Sequence, residues 1–243
     1  MTIWEADGAP WPGAGYGCEI ARQLRRAGWS VRTVPLQQRQ PDDDELAAPL
    51  HVLSGGSTPA TTTRGWVGAA RTRLQEVLER ALVGSATVVG VCFGAQLLAV
   101  SLAGPRAVRP ARRGMEVGLH PVRCTASSAE HVVSEFHHHE VRPAAIRSIG
   151  ATVTFENEHT RVQGFSMGAN VMGFQFHPEL DPRRTASTIR ANTELIRSVG
   201  SCPDAALRTV RDHRGAWQPM SFDRLVLDRV PARPLLENRS VAS

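Results

Sequence analysis

Thr87-Val88-Val89-Gly90-Val91-Cys92-Phe93-Gly94-Ala95-Gln96 is an apolar run that ends in a cysteine with a glycine two positions to either side. Thr87–Val91 lacks polar alternation, the pattern of a strand covered on both faces. The residues after Cys92 read as a helix through about Leu102, closed by Gly104-Pro105. A cysteine at such a junction sits on a tight bend above a sheet. Small residues at 90 and 94 are needed there because the backbone approaches closely. The new helix aims its amide groups and positive dipole end at the sulfur, which favours thiolate. An inert buried cysteine is the bland alternative. Glycines on both sides of a strand-to-helix turn favour a nucleophile.

Working outward, short β-like runs alternate with longer helical ones. Thr2–Trp4, Val31–Val34 and His51–Leu53 read as strands, and Gly8–Gly17 as a Gly/Pro-rich turn. Cys18–Ala27 reads as a helix with Ile20, Ala21 and Leu24 on one face. Arg64–Leu82 is the clearest helix, because Val67, Ala70, Leu74, Val77, Leu78 and Ala81 keep three-and-four spacing. Asp42–Glu45 is an acidic loop or the start of a short helix. The stretch from Arg106 to Phe176 is richer in strands, at Val117–Val122, Ala151–Phe155, Val162–Phe165 and Val171–Phe176. Thr185–Val199 returns to helix. This succession predicts an α/β fold: a doubly wound, mostly parallel sheet with helices on both faces and a small antiparallel addition. One domain is expected over residues 1–214, with a proline-containing extension over 215–243 that could dock a partner.

Two further stretches carry chemistry. Gly173-Phe174-Gln175-Phe176-His177-Pro178-Glu179 closes another apolar strand. A cysteine nucleophile needs a base, and the base needs an orienting acceptor. Pro178 restricts the residue before it to extended backbone, so His177 and Glu179 can lie on one side of the chain. Ser54-Gly55-Gly56-Ser57 follows the His51–Leu53 strand. Paired glycines there can present N–H groups to a developing oxyanion, each worth on the order of 3 kcal/mol in acyl transfer.

Composition narrows the remaining classes. All 28 basic residues are arginine, which excludes lysine chemistry such as a Schiff base or a P-loop lysine. The net charge of +5 could attract acidic partners, but aromatics are only 5% and the arginines are scattered, so no base-stacking platform for nucleic acid is expected. The densest group is Arg106, Arg109, Arg112 and Arg113, either an acidic-partner surface or a solvated segment. Four cysteines without CxxC or metal-ligand spacing point to reduced thiols. The run His137-His138-His139 invites a metal reading, yet adjacent strand residues face opposite ways, so no metal is expected and a substrate-side loop fits better. No stretch is long and apolar enough for a membrane span, and Met1–Ala9 lacks signal-peptide design, so the cytoplasm is the expected compartment.

Taken together, the glycine pair, the Gly-x-Cys-x-Gly-x-Gln turn and His-Pro-Glu, in that order, resemble the class I glutamine amidotransferases. The resemblance covers roughly Val31 to Ile196. Gly114-Met115-Glu116-Val117-Gly118 is similar to a Glu-x-Gly element of that family. Phe136-His137-His138-His139-Glu140-Val141 is similar to its aromatic-His-x-Asp-x-Val segment, with histidine at 139 in place of aspartate. Val162-Gln163-Gly164-Phe165 enters the last strand as in the amidotransferase part of GMP synthase.

The resemblance implies Cys92 as nucleophile, His177 as base and Glu179 as its orienter. It implies N–H groups of Gly56 and Phe93 as oxyanion hole. Gly55, Gln96 and the backbone near His138 and His139 would hold L-glutamine. It implies no cofactor, a γ-glutamyl thioester intermediate, and ammonia delivered to an acceptor. With the chain taken up by this fold, the ATP-using synthase is expected on a separate subunit. Other readings are hydrolysis of a different γ-glutamyl compound, a catalytically idle regulatory subunit, and a basic nucleic-acid-binding module.

Overall fold

The computed structural model describes residues 1–8 and 14–219. Part of the Gly8–Gly17 turn and most of the expected 215–243 extension lie outside the described residues. The first half of the chain runs β1 (Thr2–Glu5), α1 (Tyr16–Arg26), β2 (Arg32–Pro35), α2 (Asp43–Leu46), β3 (Leu50–Leu53), α3 (Gly65–Leu82), β4 (Thr87–Val91) and α4 (Phe93–Ala103). The second half runs β5 (Val108–Pro110), β6 (Glu116–Cys124), β7 (Glu130–His137), β8 (His139–Val141), α5 (Pro143–Ser148), β9 (Thr152–Glu156), β10 (Gly164–Met167) and β11 (Val171–Phe174). Then come α6 (Pro182–Ala191), α7 (Thr193–Ser198) and α8 (Pro203–His213).

The main sheet has the order β2-β1-β3-β4-β11-β10-β9-β6-β7. From β2 to β11 neighbouring strands are parallel, and from β11 to β7 they are antiparallel. A separate ribbon of β5 and β8 supplies the small antiparallel addition. The expected α/β architecture is therefore present, and its antiparallel part is larger than the sequence suggested.

Side-chain alternation explains the layers. On β4, Val88 packs with α3 and α4, while Val89 and Val91 turn to the opposite face, where Ile20, Ala21 and Leu24 of α1 pack. The six α3 positions picked out by spacing are all buried in the first of these layers. A third cluster packs Ile189, Ile196, Ala206 and Val210 of α6–α8 on Met115, Val117 and Leu119. The acidic run resolves as the short helix α2. The Asp42 carboxylate accepts from Glu45 N–H (2.9 Å) and Glu45 accepts from Asp42 N–H (3.0 Å), a reciprocal cap.

Three expectations need correction. Thr185–Val199 is two helices, parted at Asn192, whose backbone (φ −115°, ψ 25°) leaves the α-helical region. Strand β11 stops at Phe174 rather than Phe176, because the next N–H groups find other acceptors: Gln175 donates to Gln163 C=O and His177 to Ser134 C=O, both at 2.8 Å. His137–His139 is not a loop but the end of β7 and the start of β8.

One buried group sets an acid limit on the fold. His51 is fully buried, accepting from Trp4 Nε1 (3.1 Å) and donating from Nε2 to Ala48 C=O (2.9 Å). Burial is the main cause that lowers its pKa from 6.5 to about 4. A depressed histidine favours the fold above its unfolded pKa, and that contribution is lost as pH falls toward the folded value. Chemical denaturation should therefore show roughly 3 kcal/mol less stability from this residue at pH 4 than at pH 7. His51→Gln should flatten that part of the pH dependence; an unchanged slope in the variant would refute the assignment.

Candidate active site

Three neighbouring parallel strands, β3, β4 and β11, deliver the reactive stretches. Gly55-Gly56, Cys92 and His177 each follow the carboxyl end of one of them, the edge at which open α/β sheets bind ligands. Cys92 occupies the turn between β4 and α4 with φ 51° and ψ −105°, a backbone conformation that side-chain-bearing residues rarely adopt. Its neighbours hold it there. Cys92 N–H donates to Phe174 C=O (2.7 Å), and Gly94 N–H donates to Ser54 C=O (3.1 Å). A Cβ at 90 would sit 2.4 Å from the Gly94 carbonyl carbon, and one at 94 would sit 2.3 Å from Leu53 O. Both glycines are thus required by backbone approach.

His177 and Glu179 are 1% exposed, and the ring Nδ1–H donates to Glu179 Oε1 at 2.8 Å. Burial opposes a charge on this ring, but the Glu179 carboxylate and then Cys92 outweigh it and hold the imidazole pKa at about 10. Nε2 and Glu179 Oε2 are buried without a hydrogen bond of ordinary geometry. Helix α1 steadies the arrangement, since Gln23 Nε2 donates to the Glu179 carbonyl (2.8 Å). Tyr16, the one tyrosine of the chain, stacks on the His177 ring with centroids 4.8 Å apart and planes 24° apart. Burial, with Cys92 and Glu179 nearby, keeps its phenol well above the usual pKa.

A cavity of about 120 Å³ opens beside the sulfur, with Tyr16, Gly56, Cys92, Gln96, His138 and His139 in its wall. The N–H groups of Gly56 and Phe93 make no backbone hydrogen bond among the described residues, and Phe93 opens α4, so both donors are free. Gln96 Nε2 donates to His139 C=O (3.2 Å) and Gln175 Oε1 (3.1 Å). The His139 carbonyl also accepts from His137 Nδ1 (2.9 Å), so it is spoken for and does not offer itself to a ligand. Gly55 does not line the cavity. A Cβ there would lie 2.8 Å from His177 Cε1 and 3.0 Å from Tyr16 Cγ, so Gly55 sets the ring positions instead. Tyr16 and Gln175 are the residues sequence reasoning missed. A lone tyrosine ahead of an apolar helix and a glutamine inside an apolar strand were the available signals.

The histidine run does not converge on one point. All three border the cavity, with the His138 and His139 rings 4.1 Å apart, but His137 Nε2 turns inward toward Glu116 and Glu135. Arg109, Arg112 and Arg113 border a different hollow of about 390 Å³, joined by Arg142, Arg147 and Arg161.

Residues 13–195 match the family model described as "Glutamine amidotransferase class-I". The chain belongs to this family. The "Putative glutamine amidotransferase-like protein YfeJ" of Salmonella typhimurium is 28% identical over 186 residues, covering 73% of this chain and 74% of its own. The chloroplastic carbamoyl phosphate synthase small chain of Arabidopsis thaliana is 34% identical over 103 residues, which span 42% of this chain but only 23% of that protein. Among solved structures, a glutamine amidotransferase from Methylobacillus flagellatus superposes with TM-score 0.71 at 16% identity, covering 96% of both chains. One from Thermotoga maritima gives 0.67 at 20%, covering 89% and 92%. At these identities the structural likeness speaks for the fold.

Gly55 offers a test of the site that spares the backbone. Gly55→Ala should push the His177 and Tyr16 rings apart, lower the melting temperature by overpacking, and slow alkylation of Cys92 by iodoacetamide at least about tenfold. Peptide mapping of the alkylated cysteine would follow the rate; an unaltered rate would remove Gly55 from the site.

Proposed function

We propose that this amidotransferase hydrolyses the side-chain amide of L-glutamine through Cys92, His177 and Glu179, and passes the ammonia to a separate synthase subunit. The observation that carries the reading is the strained Cys92 turn beside a buried imidazole whose far nitrogen donates to Glu179. With its pKa near 10, His177 is an imidazolium across neutral pH and can serve as proton donor.

The steps follow from that charge state. The Cys92 thiolate attacks the amide carbon of glutamine and forms the S–C bond, while the carbonyl oxygen becomes an oxyanion facing the Gly56 and Phe93 N–H groups. His177 gives its proton to the amide nitrogen. The C–N bond breaks, ammonia leaves, and a γ-glutamyl thioester remains. Acylation removes the negative charge on sulfur, one of the influences that hold the imidazole pKa up. His177 is then a better base in the acyl-enzyme and takes a proton from water, whose oxygen bonds to the carbonyl carbon. The C–S bond breaks, glutamate departs, and the proton returns the pair to its starting state. Glu179 pins the ring through Nδ1 throughout.

The partner rests on two supports. The Arabidopsis relative is by name the small chain of a synthase. The hollow bordered by six arginines and by Glu140 and Glu158, with β8 between it and the pocket, offers an acidic subunit a mainly complementary surface. L-glutamine enters as substrate with no cofactor required by these steps.

Intact-mass measurement after treatment with a glutamine-like diazoketone tests the chemistry. One adduct is expected per chain, absent in Cys92→Ala, and His177→Asn should lower glutamate release by roughly 10²–10⁴-fold. Undiminished glutamine hydrolysis by Cys92→Ala would overturn the reading.

A further inference from the structure

Behind the pocket wall the β6–β7 ribbon buries a second group of polar side chains that the reaction above does not use. Glu116 and His137 are directly opposed across the two antiparallel strands. Glu135 lies two residues before His137, so strand periodicity places all three on one face. Glu116 is 2%, Glu135 0% and His137 4% exposed. Their ligand-type atoms all lie within 4.8 Å of one another.

The contacts among them are close but unsatisfied. His137 Nε2 is 3.1 Å from Glu135 Oε2 and 3.4 Å from Glu116 Oε2. Neither approach meets the directional requirement of a hydrogen bond, and among the described residues Nε2 and both Glu135 oxygens have no hydrogen-bond partner. His137 Nδ1 carries its proton toward the His139 carbonyl (2.9 Å), which leaves Nε2 with a lone pair in the neutral ring. With the ring neutral, that lone pair and the two carboxylates would face one buried spot. Such a spot is costly unless a cation fills it. Without a metal, burial disfavours charge on His137 but Glu116 and Glu135 outweigh it and hold its pKa well above the usual value, while burial pushes Glu135 up to about 7.

We propose that Glu116, Glu135 and His137 bind a divalent metal ion of the zinc class, which staples β6 to β7 beneath the active-site wall. Ligands about 2.0 Å from a tetrahedral centre are about 3.3 Å from each other, and the two measured N···O separations bracket that value. The outer contacts are also those of a metal site. The ligating imidazole donates its other N–H to a carbonyl. Glu116 accepts from Asn157 Nδ2 (2.6 Å) and Gln163 Nε2 (2.9 Å), which fixes the carboxylate. A solvent-facing hollow lined by Glu116, His120, Asn157 and His159 gives an ion a way in, and water a fourth coordination position. The staple bears on the neighbouring site through Ser134, whose carbonyl receives the His177 N–H.

The test uses the full chain without an affinity tag. Elemental analysis after gel filtration should find about one zinc per chain, or metal-free protein should take up Zn²⁺ one to one with a rise in melting temperature of roughly 5 °C or more. Co²⁺ in its place should give the visible absorption of a four-coordinate ion. E135Q should lose the uptake and the Co²⁺ spectrum, and E116Q should do the same should E135Q fail to fold. No uptake by the wild type, or equal uptake by a folded E135Q, overturns the proposal. So does a buried protonated-carboxyl infrared band that E135Q abolishes and Zn²⁺ leaves alone, since a proton would then hold the cluster. None of these readouts depends on glutamine turnover, so the metal site and the proposed activity stand or fall separately.

Discussion

The close approach of β4 and α4 governs the rest of the molecule. At the junction the chain reverses so sharply that Cys92 is forced to φ 51°, and the glycines on either side leave no room for a side chain. Such a conformation costs on the order of 1–3 kcal/mol and persists only where surrounding structure over-determines it. Here the surroundings are the Phe174 carbonyl, the Ser54 carbonyl and the packed face of α4. The sulfur is consequently held proud of the sheet, with the first N–H groups of a buried helix beneath it.

That constraint is answered from the other half of the sheet. Strand β11 is parallel to β4 on one side and antiparallel to β10 on the other, so it is the seam between two kinds of pairing. Past Phe174 the chain leaves its parallel neighbour, and the His177 N–H is captured by Ser134 of β7. The departure swings the imidazole toward position 92, while α1 reaches over to hold the Glu179 carbonyl. Tyr16 then closes the stack from above. An imidazole stacked by Tyr16, bonded through Nδ1 to Glu179 and tethered by its own backbone N–H to Ser134 has little rotational freedom to lose.

Much of this was legible because local chemistry dictated it. The apolar run Thr87–Val91 matched its strand residue for residue, and the α3 spacing identified its buried stripe correctly. Gly90 and Gly94 could be read as close-approach positions from their flanking of a single cysteine. The antiparallel edge was harder. Strand β7 carries Ser134, Glu135 and His137 on its buried positions, so its polar residues face inward and hydrophobic alternation gives no signal. Helix α8 was missed because it buries only Pro203, Ala206 and Val210, too thin a stripe to stand out. Ring positions set by Gly55, and the double use of the His139 carbonyl, depend on contacts between residues far apart in the chain. No window of sequence contains them.

The parallel half of the sheet also has an opposite rim. Gly55-Gly56, Cys92 and His177 follow β3, β4 and β11 at their carboxyl ends, whereas the segments entering β4 and β11, Leu82–Ala86 and Gly168–Asn170, sit at the other extremity. Leu82 and Val83 are 51% and 80% exposed there, and Gly84 and Gly168 take up left-handed turns with open space around them or nearly so. Insertions, fused reporters or lengthened turns placed on that rim would be borne by solvent rather than by the pocket, making it the natural attachment point for anyone rebuilding this protein.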